Sequence, residues 1–257
     1  MRKALERSGS LWLPSRREII GVLGVGLLAP RIAKASYTPL ANTVLAMTTN
    51  GGTTPAIDTT GCNLIVVAVG IDYNGSGVLS DSKGNTWTHL ALNYGATTMG
   101  VQLHYVVAPT VGSGHTFSLN ASGHTGSLCV AAFRGADASP FRSQVATDVG
   151  SISNSSTPIT SPAGVISTDL VVSAVTWSYV LITSVSASGL TASNAAYAGQ
   201  WGHGIAMAYT TSGFTSASWD ALAGFAAYGT YLGPICTAAF KVPVGTSTKH
   251  RVITGGE

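Results

Sequence analysis

The sequence predicts an all-β fold, a single antiparallel β-sandwich or jelly roll built from two pseudo-repeated halves, and three observations predict it. Past residue 40 the chain alternates short β-branched or aromatic runs with Gly, Ser, Asn and Pro, and no long stretch keeps a helical period. Three strand-like segments recur later in the chain in the same order. Only 9% of residues are charged, so neutral polar side chains must cover most of the surface.

The first residues read as a targeting segment. Up to Ala35 there are seven basic residues (Arg2, Lys3, Arg7, Arg16, Arg17, Arg31, Lys34) against Glu6 and Glu18. An apolar run from Ile19 to Ala29 follows the Ser15-Arg16-Arg17 core and ends before a small-x-small site, Ala33-Lys34-Ala35. That run is too short to span a bilayer. The adjacent arginines and the Gly21 to Gly26 stretch resemble a twin-arginine export signal, although Ile19-Ile20-Gly21 stand where such signals usually carry Phe-Leu-Lys. A general secretory signal is the alternative. Residues 1–35 are therefore expected to be an export signal and the protein to be extracytoplasmic, in the periplasm, at the cell surface or secreted. Contact with a membrane is expected only through the uncleaved signal.

The remainder carries six basic and eight acidic residues, so the basic character of the whole belongs to its start. Lys83, Arg134, Arg142, Lys241, Lys249 and Arg251 are scattered, whereas a phosphate-tracking surface needs clustered cations, which excludes nucleic acid as a partner. A surface so poor in charge repels its own copies weakly, which favours self-association.

In order, the expected strands are Thr43 to Thr49, Leu64 to Asp72, Thr86 to Leu92, Gly100 to Val107, His115 to Ala121, Ser127 to Arg134, Ser143 to Thr147, Leu170 to Trp177, Gly204 to Thr210, Ser216 to Ala221 and Gly233 to Val242. Turn signals at Asn74-Gly75, Lys83-Gly84-Asn85, Ser122-Gly123 and Ser212-Gly213 separate them. Asn63 to Val69 (NLIVVAV) recurs as Asp169 to Val175 (DLVVSAV), Gly100 to Tyr105 (GVQLHY) as Gly204 to Tyr209 (GIAMAY), and Leu128 to Arg134 (LCVAAFR) as Ile235 to Lys241 (ICTAAFK). A repeat this long is not a solenoid; it indicates two roughly four-stranded units that share one core because each is too small to bury its own apolar face. The expected domain covers residues 36–243, with halves at about 43–135 and 157–243 and a flexible tail at 244–257.

With these motifs in place the chain resembles a widespread family of uncharacterised phage-structural and secreted bacterial β-sandwich proteins. The residues that carry the resemblance are Asn63 to Val69, the turn Gly84-Asn85-Thr86-Trp87, Leu103-His104-Tyr105, Ala131 to Gly135, and the closing Thr237 to Val242. The second half has Ser188-Gly189-Leu190-Thr191 where the first has its Gly-Asn-x-Trp turn. The resemblance implies the fold and a structural or surface role. It implies no activity, since these are core and turn motifs.

Chemistry is sparse. A glycosidase, the natural enzymatic guess for an exported β-sandwich, needs two facing carboxylates. Between Ala35 and the terminal Glu257 the acids are Asp58, Asp72, Asp81, Asp137, Asp148, Asp169 and Asp220. Asp58, Asp81 and Asp137 sit in turn-like sequence and should cap their own backbone. Asp169 begins a strand where the other half has Asn63, which argues against a need for charge there. A catalytic carboxylate pair such as Asp72 with Asp220 is conceivable. Histidines 89, 104, 115, 124 and 203 fall in no metal-binding pattern, and no GxSxG elbow is present. Calcium would need converging oxygens from 72–76 or 81–85, neither of which matches an EF-hand loop. Cys62, Cys129 and Cys236 cannot all pair within one chain, and Cys129 and Cys236 lie in apolar runs that predict burial.

No catalytic residues, metal ligands or cofactors are therefore expected. The candidate ligand-binding residues are aromatic or polar groups in loops: Tyr94, Trp201, His203, Tyr228 and Tyr231, which could form a patch at one end of the sandwich. The functional expectation is a non-enzymatic exported or surface-exposed module for binding or extracellular assembly, with a phage-derived virion component as its close variant. The partners would be copies of itself or an extracellular glycan. The alternative is a carbohydrate-active hydrolase or a lectin-like carbohydrate-binding domain.

Overall fold

The computed structural model describes residues 35–72, 77–94, 99–147, 156–178, 182–190, 192–194, 203–212, 214, 216–223 and 231–244, all within one unit, Lys34–Glu257. The expected signal, the tail from 245 onward and the turn at Asn74-Gly75 lie outside them. The described elements are β-strands throughout: β1 (Thr38–Thr53), β2 (Leu64–Asp72), β3 (Val78–Asp81), β4 (Thr88–His89), β5 (Asn93–Tyr94), β6 (Met99–Val107), β7 (Phe117–Arg134), β8 (Phe141–Thr147), β9 (Ser156–Pro158), β10 (Leu170–Ser178), β11 (Ile182–Ser188), β12 (Ala192–Asn194), β13 (Gly204–Thr210), β14 (Ser218–Ala223) and β15 (Tyr231–Phe240). The sequence therefore predicts the class correctly, and the strands assemble as antiparallel sheets. The first sheet runs β1-β7-β2-β6-β4, with β3 on β7 and β5 on β6. The second runs β12-β13-β10-β15-β8, and a third, of three strands, runs β11-β14-β9.

The duplication is reproduced pair by pair. In the first sheet Val66 lies opposite Tyr105 and Ala131, and Ala68 opposite Cys129. In the second Val172 lies opposite Tyr209 and Ala238, and Ala174 opposite Cys236. Because side chains alternate with period two, identical registers send identical residues to the same face. The shared core lies between the two sheets: Leu64, Val66, Leu103 and Phe133 from the first pack with Leu170, Val172, Met207 and Phe240 from the second. The contacts are reciprocal, as an internal pseudo-dyad requires. Tyr105 of the first half meets Phe240 of the second edge-on at 5.4 Å, and Tyr209 of the second meets Phe133 of the first at 4.9 Å.

One expectation needs correction, since each half also buries an apolar face of its own. On the far side of the first sheet Ile65, Val67, Phe117, Leu119, Leu128 and Val130 form a second core, and on the far side of the second Val175, Trp177, Ala206, Ile235 and Trp219 form a third. This is why the central strands read as unbroken apolar runs rather than alternating ones: all nine residues of β2 are buried. The covering layers are also duplicated. In the first half β3 and the last residues of β1 flank the start of β7; in the second, β11 and β9 flank β14. Phe117 and Trp219 occupy equivalent places in these layers, each fully buried.

The expected pair of strands at 115–121 and 127–134 is instead one bent strand, β7. Ser122 (φ 35°) and Gly123 (φ 83°) bend it opposite Asn50 (φ 65°) and Gly51 (φ 80°) in β1, so two long strands turn together from one layer into the next. Asn50 Oδ1 accepts Gly123 N at 2.8 Å across the bend. A side chain at Gly51 would bring its Cβ to 2.1 Å from the Leu119 carbonyl oxygen, so only glycine fits there. The expected strand at 86–92 shrinks to the two residues of β4, and β5 follows beyond its end.

Candidate binding groove

The described carboxylates are held by structural bonds. Asp58 accepts Thr60 N and Oγ1, and those bonds hold its carboxyl below the usual range. Asp137 accepts Ser139 N at 2.8 Å. Asp72 accepts Thr125 N at 2.8 Å and faces His124 Nδ1 at 3.4 Å. Asp220 is hydrogen-bonded by Ser188 and Ser218 in the third sheet; burial raises its pKa, but the hydroxyl bonds outweigh that and leave it lowered. Asp72 and Asp220 thus belong to different sheets and serve different partners.

Asp81 is the densest node. Its carboxylate accepts Lys83 N (2.8 Å), Asn85 Nδ2 (3.1 Å), Trp87 Nε1 (3.0 Å) and His115 Nε2 (3.0 Å), and Thr59 Oγ1 meets His115 Nδ1 at 2.9 Å. Thr, His and Asp in a row are reminiscent of a catalytic triad, but Thr59 and the His115 and Asp81 side chains are fully buried. A hydroxyl with no access to substrate is no nucleophile. The node fixes the Gly84 to Trp87 turn, and Ala187 stands at the Asp81 place in the second half, pairing with Trp219 as Asp81 pairs with Phe117. Asp81→Asn should cost about 2 kcal/mol in chemical denaturation, because an amide placed among four donors turns one acceptor into a clashing donor.

Asp169 departs from expectation. Asn63, its counterpart, accepts Gly135 N and Ala136 N at 3.0 and 3.1 Å. In the second half the residues in those places are Val242 and Pro243, and proline has no N–H to give. Arg142 supplies donors instead, with Nε 2.6 Å from Asp169 Oδ2 and a second nitrogen 3.0 Å from Oδ1. The charge at 169 is therefore used.

The turn that Asp81 fixes forms one wall of a groove of about 350 Å³ lined by Thr86, Thr88, Tyr105, Val106, Val107, Ala138, Ser139, Pro140 and Phe141. β4 supplies Thr88, the end of β6 supplies the floor, and the connection between the halves supplies the far wall. Tyr105 stacks on Phe141 with centroids 5.9 Å apart and planes 15° from parallel. Asp137 N bonds Lys241 O and Lys241 N bonds Pro140 O, so the far wall is tied to the end of β15. The lining carries no carboxylate, amine or imidazole; its polar groups are hydroxyls beside aromatic rings.

Of the residues expected to bind ligand, the two whose side chains are described, Tyr94 and His203, do not line it. Tyr94 is 37% exposed on β5, with its ring over Gly100, where an added Cβ would fall 2.6 Å from Cε1; the ring covers a glycine. His203 is buried, which lowers its pKa, partly offset by the charge of Asp72. Trp201 and Tyr228 lie outside the described residues, as does the side chain of Tyr231, whose backbone pairs with Ser178. The sequence reading overlooked Tyr105, Phe141 and Ser139. The signals were the duplicated Tyr of β6 and β13 and the turn found in one half alone. The three cysteines are buried and joined by no disulfide, with burial pushing the Cys62 thiol up to about 11 and that of Cys236 up to about 12.

Fold and groove together define a duplicated, multilayered all-β protein with a neutral cleft where its halves meet. No protein-family model, curated protein or solved structure matches the chain.

Proposed function

We propose that the protein is a non-enzymatic, exported binding module whose groove takes a neutral, polyhydroxylated ligand, an extracellular glycan. The observation that carries this reading is that all six described aspartates are engaged by structural donors, which leaves no pair of acids free for hydrolysis among the described residues. The lining supports it too, because aromatic rings beside hydroxyls and no formal charge suit a sugar, which has an apolar face and a polar edge. The signal-like start supports export.

Saturation-transfer NMR against a panel of neutral oligosaccharides tests the reading, with reducing-end release measured in parallel. Binding without release, abolished by Thr88→Trp at the exposed rim, is the expected result. Release of sugar ends would replace the module with a hydrolase. A discrete absence of binding, with the protein in large assemblies, would replace it with a virion or filament subunit.

A further inference from the structure

On the face of β6 opposite Tyr105 lies a residue the groove does not use. His104 is 1% exposed, and neither of its ring nitrogens has a hydrogen-bond partner. A buried polar atom in that condition calls for a missing partner such as a water or an ion. Its neighbour across the strands supplies a direction. β4 pairs with β6 so that His89 lies directly opposite His104, and the two rings meet at 4.6 Å with planes 77° apart. His89 is exposed. The other described histidines lie elsewhere: His115 has both nitrogens engaged, His124 faces Asp72, and His203 is buried on the second half within the field of Asp72. On the other side of His104 the register places Val67, which offers no polar partner.

We propose that His89 and His104 form a two-imidazole site for a divalent transition-metal ion of the zinc, nickel or copper type. Imidazole nitrogens suit these ions and not calcium or magnesium. Among the described residues no three His, Cys, Asp or Glu side chains gather, so the chain supplies two ligands and water completes the coordination on the exposed His89 side. Burial, with a smaller contribution from His89, holds the His104 pKa down at about 3, so its ring is neutral and carries the lone pair that a metal needs.

The test is titration of the tag-free protein with Zn²⁺ alone, followed by calorimetry and thermal melting. One Zn²⁺ per chain and a melting temperature raised by Zn²⁺ are expected. His89→Ala is a surface change that should leave the fold intact. Losing a ligand should cost no less than losing a ligand's supporting partner, so affinity should fall at least about tenfold. His124→Ala should bind as the parent does. A Cu²⁺ electron paramagnetic resonance spectrum of the parent should show coupling to two imidazole nitrogens, reduced to one in His89→Ala. Failure of the parent to bind Zn²⁺, or equal binding by His89→Ala, overturns the proposal.

Discussion

Arg142→Leu is expected to destabilise the protein by about 3–5 kcal/mol, and adding Asp169→Asn to it is expected to restore about 2 kcal/mol of that loss. Asp169 is fully buried and Arg142 is its counterion, so removing the arginine leaves an uncompensated charge in the core. The second change imports what the first half already does. Leu40 and Arg142 are equivalent, each the extra residue between two paired positions: Pro39 and Ala41 oppose Phe133 and Ala132, while Phe141 and Ser143 oppose Phe240 and Ala239. Leucine at the bulge goes with asparagine at the strand start in one half, and arginine with aspartate in the other. Recovery should be incomplete, because Pro243 still offers no N–H where Ala136 offers one. Urea unfolding of the two single variants and the double variant measures the coupling. Additive losses would mean that the two side chains act independently.

The same pair shows what was legible in the sequence. The duplication was readable because strand cores repeat by residue type, and equal registers followed from it. The multilayered stacking was not read, although β2 carries its signal: an unbroken apolar run means that both faces are covered, but it does not say which segments cover them. The bend in β7 was misread since Ser122-Gly123 has the composition of a hairpin turn, whereas it is Asn50 and Gly51 on the facing strand that convert it into a shared corner. Asp169 was read as dispensable charge because its asparagine counterpart was visible and its distant partner was not. Arg142 precedes it by 27 positions, and the missing donor at Pro243 comes far after it. The groove was missed for a similar reason. Tyr105 and Phe141 come from two strands, β6 and the start of β8, that only the closure of the two halves brings together, while the loop aromatics chosen as candidates include Tyr94, which covers a glycine.

Chelator-treated protein is expected to lose about 2–3 kcal/mol of stability between pH 7.5 and pH 4.5 through His104 alone. The folded state holds this imidazole at about 3, chiefly through burial and secondarily through His89, against an ordinary value near 6.5. Between those values the unfolded chain binds a proton that the folded chain refuses. Stability therefore rises with pH across the window from about 3 to 6.5 and levels off above it. His203, also lowered by burial, adds a contribution of the same sign, so the parent alone does not isolate the effect. His104→Leu does, because it removes the titrating group and both unpaired nitrogens while filling the space with apolar atoms. The variant should be as stable as the parent or more so at pH 7.5, by up to about 2 kcal/mol, and should show a shallower loss on acidification. Urea midpoints at the two pH values for parent and variant give the comparison. If both lose stability in parallel, the acid sensitivity belongs to other groups and the His104 ring is already satisfied by a partner that keeps its proton affinity near normal.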